Sequence, residues 1–174
     1  MFNKGDLIVY SGHGICKIED ICDINIAGNT KAYYVLQPLN NDHQLTIRTP
    51  VDNNKVTMSS LMQKDQAEEI LDSFQFPGAN WIENNHLRIQ TYNNIVKSGN
   101  RREIAKIANT LIRKKHELEL KDRKISEQDK QLLTSIKSVL FKEMALSLHT
   151  TYETISNEVN KLLLNKTEEQ IELN

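Results

Sequence analysis

Cysteine is scarce in this chain, two in 174 residues, at Cys16 and Cys22. Six positions apart in a chain whose start lacks a secretory apolar core, they read as reduced small hydrophobes, not as a disulfide or a metal site. The five histidines have no HxxxH spacing and the cysteines no CxxC, so no metal ligand set is expected, and no cofactor. Long apolar runs are missing too. No stretch approaches the roughly 18 residues of a membrane span, so no membrane partner is expected and a cytoplasmic location is the default. Charge of neither sign dominates: the formal net charge is −1, which rules out a nucleic-acid binder working through overall basicity. There is one tryptophan, Trp81, and no internal repeat or low-complexity tract. At 39% apolar and 26% charged, the composition suits one domain or two small ones with real cores.

What is present is an asymmetry. Residues 1–100 carry a net −3, residues 101–125 a net +5, and residues 126–174 a net −3. Any contact with nucleic acid therefore falls to a local patch.

The first sixty residues read as short strands and turns. Leu7–Tyr10 is an apolar run closed by the turn Ser11-Gly12-His13-Gly14, and Ile15 to Ile21 partly alternate. Ala27-Gly28-Asn29 marks a turn before Tyr33 to Leu36, and Asn40-Asn41-Asp42 a polar loop. Leu45 to Thr49 alternate with period two and stop at Pro50; Val56 and Met58 make a short fifth strand. No helix long enough to connect parallel strands fits here, so the pairing is antiparallel. The fold class is α+β: a small SH3/Tudor-like antiparallel β-barrel over residues 1–60, followed by an all-helical bundle.

Ser60, with Gln63 three residues on, has a capping-box pattern and opens a short helix, so residues 61–79 form a helix and linker up to the break at Phe76-Pro77-Gly78. Four helices over residues 80–165 come next. Asn80 caps a helix through Val96 or Lys97 that Trp81 opens, with Gly99 just past its end. Asn100 caps the second, striped Ile104, Ile107, Ala108, Leu111 and Ile112. Ser126 with Asp129 opens a third, striped Leu132, Leu133, Ile136, Val139, Leu140 and Leu146. Thr150 or Thr151 opens the last, with Ile155, Val159, Leu162 and Leu163 inward. Residues 166–174 form a frayed tail, with polar residues from Asn165 on.

The chemistry-bearing residue types form no catalytic constellation. His13 and Cys16 have no third group to orient an imidazole, and the Ser11–Gly14 turn is followed by a strand where a phosphate loop needs a helix. The chain reads as a non-enzyme. Trp81, just after a Pro-Gly break, is either a packing residue or an indole that stacks on or wedges between bases. Arg101, Arg102 and Lys106, then Arg113 to His116, are either a solvated face or a set of phosphate contacts that position without reading sequence. The 44–49 strand, with Arg48 projecting, is a guarded edge or one that extends a partner's sheet.

Lys4-Gly5-Asp6, Val9-Tyr10, His13-Gly14, Gly28, Tyr33 and Leu45-Thr46-Ile47-Arg48-Thr49-Pro50 resemble the N-terminal signature of the CarD family of bacterial RNA polymerase-binding transcription regulators. That signature is similar to the polymerase-interacting module of transcription-repair coupling factors. Asn80-Trp81, Ser98-Gly99, the helix from Ile104 to Ile112, Leu132, Leu140, Glu143, Met144-Ala145 and Thr150 resemble the family's C-terminal domain. The resemblance implies a Tudor-like domain that binds the RNA polymerase β subunit by a strand edge, here Leu45, Thr46, Ile47, Arg48, Thr49 and Pro50. It implies a helical domain that contacts promoter DNA at the upstream edge of the melted region, with Trp81 as a minor-groove wedge that keeps the open complex from reclosing. The protein would then be nucleoid-associated through RNA polymerase. Family members are basic just after that tryptophan. Here Ile82-Glu83-Asn84-Asn85 stand there, so His86, Arg88, Arg101, Arg102 and Lys106 are the remaining DNA-binding candidates. Ile24 occupies a position that is charged in the family, so the polar part of the polymerase contact departs from the pattern. With little or no DNA contact, the same chain is a polymerase-binding adaptor. Exposed barrel edges leave a monomer and a strand-exchanged dimer open.

Overall fold

A computed structural model describes residues 1–40, 45–54 and 56–171 of the chain, with residues 164–171 described through their backbone alone. It divides into two compact units, Met1–Leu61 and Met62–Asn174. The division falls ahead of the Phe76-Pro77-Gly78 break, and the short helix Lys64–Asp72 clusters with the second unit. Antiparallel strands followed by helices make the chain α+β.

The first unit is a five-stranded antiparallel sheet of β1 (Leu7–Tyr10), β2 (Gly14–Ile26), β3 (Asn29–Pro38), β4 (Ile47–Pro50) and β5 (Met58–Ser60), in the order β4-β3-β2-β1-β5. β2 runs well past the sequence expectation. Its first residues pair with β1, and a bulge between Ile18 and Asp20 bends it as it continues along β3. Ala27 and Gly28 both take positive φ, the conformation that lets two residues close a hairpin with the strands' natural twist. Ile8, Tyr10, Cys16, Ile18, Tyr34 and Leu36 form the core, their alternation set by the pleat. Leu45 and Thr46 lie before β4, not within it. The polar loop at Asn41 and Asp42, and Gln44, lie outside the described residues.

The second unit holds α1 (Lys64–Asp72), α2 (Asn85–Ser98), α3 (Arg101–Glu119), α4 (Glu127–Ile136), α5 (Lys142–Ser147) and α6 (Tyr152–Ile171). Three of the caps are those the sequence signals. Asn100 accepts from the Glu103 N–H, Ser126 from Asp129 and Thr151 from Thr154, and Gly99 takes the left-handed conformation after α2. Two are not. Ser60 sits in β5, and α1 starts after Gln63 with no side-chain cap. Asn84 caps α2 in place of Asn80, so Trp81 stands in the loop before that helix. At the other end α6 runs as helix to Ile171, where the polar sequence from Asn165 predicts fraying.

Between α4 and α5 the chain makes a π-turn over Lys137–Phe141. The wider turn rotates α5 about its axis, so Phe141, Met144 and Ala145 point inward while Leu146, placed inward by a uniform 3.6-residue period, is exposed. Phe74, Tyr92, Ile107, Leu111, Phe141, Met144 and Ile155 anchor the core.

Two acidic side chains are buried with it. Glu143 binds Arg101 through Nε at 2.9 Å and Nη2 at 2.6 Å. It also accepts the Met62 N–H at 2.9 Å, and Ser147 Oγ donates to the Met62 carbonyl. The first residue of the helical unit is thereby tied to α5. The other carboxylate is Asp129.

Candidate functional site

The loop from Pro77 to Glu83 carries Trp81, and its backbone is fastened on both sides of that residue, at Ala79 and Asn80 and at Ile82 and Glu83. The Ala79 N–H donates to the Lys106 carbonyl on α3 at 3.2 Å. Thr110 Oγ1 donates to the Ala79 carbonyl at 2.7 Å, and the Tyr92 hydroxyl to that of Asn80 at 2.9 Å. Arg88 Nη1 donates to the carbonyls of Ile82 at 2.6 Å and Glu83 at 3.3 Å. Asn109 holds the preceding turn through the carbonyls of Phe74 and Phe76. Asn109 and Thr110 are buried polar residues of α3 because this loop lies over them; a buried polar group needs such partners. Burial pushes the Tyr92 phenol above its ordinary pKa, so it remains a donor.

Arg88 does more than hold the loop. Its Nε and Nη2 meet Asp129 Oδ1 and Oδ2 at 2.9 and 2.7 Å, a bidentate pair, and Nη2 also donates to Asn85 Oδ1 at 2.7 Å. Both side chains are buried. Asp129 sits in the first turn of α4, where the helix dipole favours a carboxylate, and Ser126 Oγ donates to it at 2.5 Å. The same guanidinium lies 4.0 Å from the centre of the Trp81 ring, within cation–π range. Lys114 Nζ approaches that ring to 5.3 Å. The indole is partly buried against the helical core and retains exposed surface.

The six residues singled out as DNA contacts thus separate. Trp81 is partly exposed and His86 exposed. Arg88 is buried in its pair with Asp129, and Arg101 is largely buried against Glu143, so these two guanidiniums are turned toward the interior. A lone basic residue on a helix face gives no sign in sequence that an acidic partner some forty positions away will bury it. Arg102 and Lys106 are exposed but paired at the surface with Glu69 and Glu103. Lys114, which sequence reading takes only as part of the basic block, is the lysine that the fold brings to the indole. It pairs with Glu117, which Lys121 also binds; hydrogen bonds from Lys121 and Lys114 hold the Glu117 carboxyl below its ordinary pKa. Arg123 and Lys124 are exposed in the loop after α3.

On the sheet unit, β4 is an edge strand paired with β3 from Ile47↔Leu36 to Pro50↔Tyr33. Ile47 packs on the core and Thr49 is buried, accepting from Asn53 Nδ2 at 2.8 Å. Arg48 and Thr46 are exposed, Leu45 is 46% exposed, and Pro50 is partly buried. The alternation leaves Arg48 outward on an edge. Ile24, in the distal part of the β2–β3 hairpin, is partly buried.

Among the described residues, no group of three or more His, Cys, Asp or Glu side chains is placed to hold a metal, and no helix is long and apolar enough to cross a membrane. Comparison with protein-family models gives two matches. Residues 2–62 match the CarD-like/TRCF RID domain, and residues 69–160 match the CarD C-terminal domain.

Proposed function

The chain belongs to the CarD family, whose domains mark it as an RNA polymerase-interacting transcription regulator, and we propose that it docks on the polymerase β subunit while Trp81 braces opened promoter DNA. The edge strand β4, with Arg48 outward, is the docking element: an edge offers unpaired backbone groups to a partner strand, and its outward side chains set register. The observation that carries the DNA half is the position of Trp81. The chain's single tryptophan is held on a fastened loop, partly exposed, with Lys114 beside its ring.

No catalysis enters the mechanism. An opened promoter differs from a closed one by a small free energy, and an indole that fits only the distorted junction shifts the balance by its differential affinity. Tethering through polymerase keeps the local concentration of the helical unit high, so modest DNA affinity suffices. Contact with one base is worth about 1–3 kcal/mol. Losing it shortens the open-complex lifetime by roughly fivefold to a hundredfold.

The test is a promoter-release assay with Trp81→Ala beside a pull-down of the β lobe with Arg48→Ala. The reading expects Trp81→Ala to shorten the lifetime and retain polymerase, and Arg48→Ala to weaken capture. An unchanged lifetime removes the wedge; failure of the wild type to bind polymerase removes the whole proposal. A second reading, a polymerase-bound adaptor with little DNA contact, is favoured by one observation: Arg88 and Arg101 spend their charges on buried carboxylates. It expects DNA retention by the polymerase complex to have the same salt dependence with and without this protein.

A further inference from the structure

We propose that the buried Arg88–Asp129 pair is a positioning device for Trp81, so that the working pose of the indole is set by an ion pair outside the loop that carries it. The inference rests on the reading of Trp81 as the DNA-facing residue and adds what holds it there. Arg88 makes five hydrogen bonds in the fork geometry of its guanidinium: two to Asp129, one to Asn85 Oδ1, and two to the carbonyls of Ile82 and Glu83, the residues directly after the tryptophan. Its guanidinium carbon also lies 4.0 Å from the centre of the indole ring. Backbone and ring of the same segment are therefore held by one side chain. That side chain is in turn held by Asp129, which is fixed at the start of α4 by its own helix cap.

An ion pair kept only to join α2 to α4 has no need of the two loop carbonyls or the ring. Those contacts point the device at Trp81. A lysine at this position retains charge but cannot form the planar fork, so it releases the loop even where it keeps Asp129 company. The arrangement also bears on the lack of basic residues directly after Trp81: a preordered indole loses less freedom on binding, and so needs fewer phosphate contacts than a mobile one.

The single tryptophan supplies the reporter. Acrylamide quenching and emission of Trp81 in the full chain are measured for wild type, Arg88→Lys, Asp129→Asn and Asn100→Ala, with circular dichroism to verify folding. Asn100→Ala removes a helix cap remote from the ring and serves as the control for general loosening. The expected result is greater quenching and a shifted emission in Arg88→Lys and Asp129→Asn, and none in Asn100→Ala. The open-complex lifetime should fall by roughly 2- to 30-fold in the first two, the range over which an indirectly acting residue modulates function. In a Trp81→Ala background the same substitutions should have no further effect on lifetime. Unchanged quenching in both folded variants, or a lifetime effect that persists without Trp81, overturns the proposal. Asp129→Asn keeps the shape of the cap and decides the matter if Arg88→Lys does not fold. If Trp81→Ala alone leaves the lifetime unchanged, the wedge reading falls, while quenching still decides whether the pair positions the ring.

Discussion

Gly78 and Lys106 come so close that a β-carbon on the glycine would stand 2.7 Å from the Lys106 carbonyl oxygen. It would be 2.9 Å from the Thr110 backbone nitrogen, and it would also press on Thr110 Oγ1. The glycine is required by packing of the Trp81 loop on α3. Gly78→Ala is expected to destabilise the helical unit by about 1–3 kcal/mol, the usual range for forcing added volume into a packed site. Urea unfolding should show a lower midpoint with an unchanged slope; an unaltered midpoint would mean the loop gives way easily.

The Arg88–Asp129 pair sets an expectation about stability distinct from its role toward the indole. Removing one partner leaves a buried charge alone, so Arg88→Ala or Asp129→Ala should each cost about 3–5 kcal/mol. The double variant Arg88→Met with Asp129→Leu strands no charge. It should unfold at a higher denaturant concentration than either single alanine variant. A double variant less stable than both would show that the hydrogen bonds to the loop, and not the stranded charge, dominate.

Lys114 is expected to be a phosphate contact beside Trp81. Lys114→Ala should reduce the slope of log affinity against log salt for the polymerase–promoter complex by about 0.9, one counterion's worth. Arg88→Lys keeps its charge within the buried pair and should leave that slope alone. Equal slopes for wild type and Lys114→Ala would assign the basic block to solvation.

Cys16 is fully buried in the core of the sheet unit, and desolvation pushes its thiol up to about 11. Because the folded pKa lies above the unfolded value, this group's contribution to stability is complete below the ordinary thiol range. It is lost as pH rises from there through about 11. At pH 8 a thiol reagent should label Cys22 rapidly in the folded protein and Cys16 only after denaturant is added. Rapid labelling of both without denaturant would contradict the burial.

How much of the fold is legible in the sequence depends on whether the signal is local. The strand runs Leu7–Tyr10 and Tyr33 to Leu36, the cap residues Asn100, Ser126 and Thr151, and Gly99 are local signals, and each holds in the structure. Asn80 and Ser60 carry the same local signal and fail. Asn80 is drawn into the loop that the Tyr92 hydroxyl fastens, and Ser60 is taken by pairing with Ile8 in β1. Leu146 departs from its expected face because a period cannot register a π-turn.

Composition and order determined the α+β class, the sheet followed by helices, and the family to which the chain belongs. They also singled out Trp81 as the residue to watch. Tertiary structure alone decided which cations serve the interior and which face solvent. Arg88 and Arg101 find Asp129 and Glu143 only once the helices pack, and Lys114 reaches the indole only across the surface of α3. The physical reason is range. Helix and strand preferences are settled within a few residues, whereas the fate of a charge is settled by whatever the fold brings within a few ångströms of it.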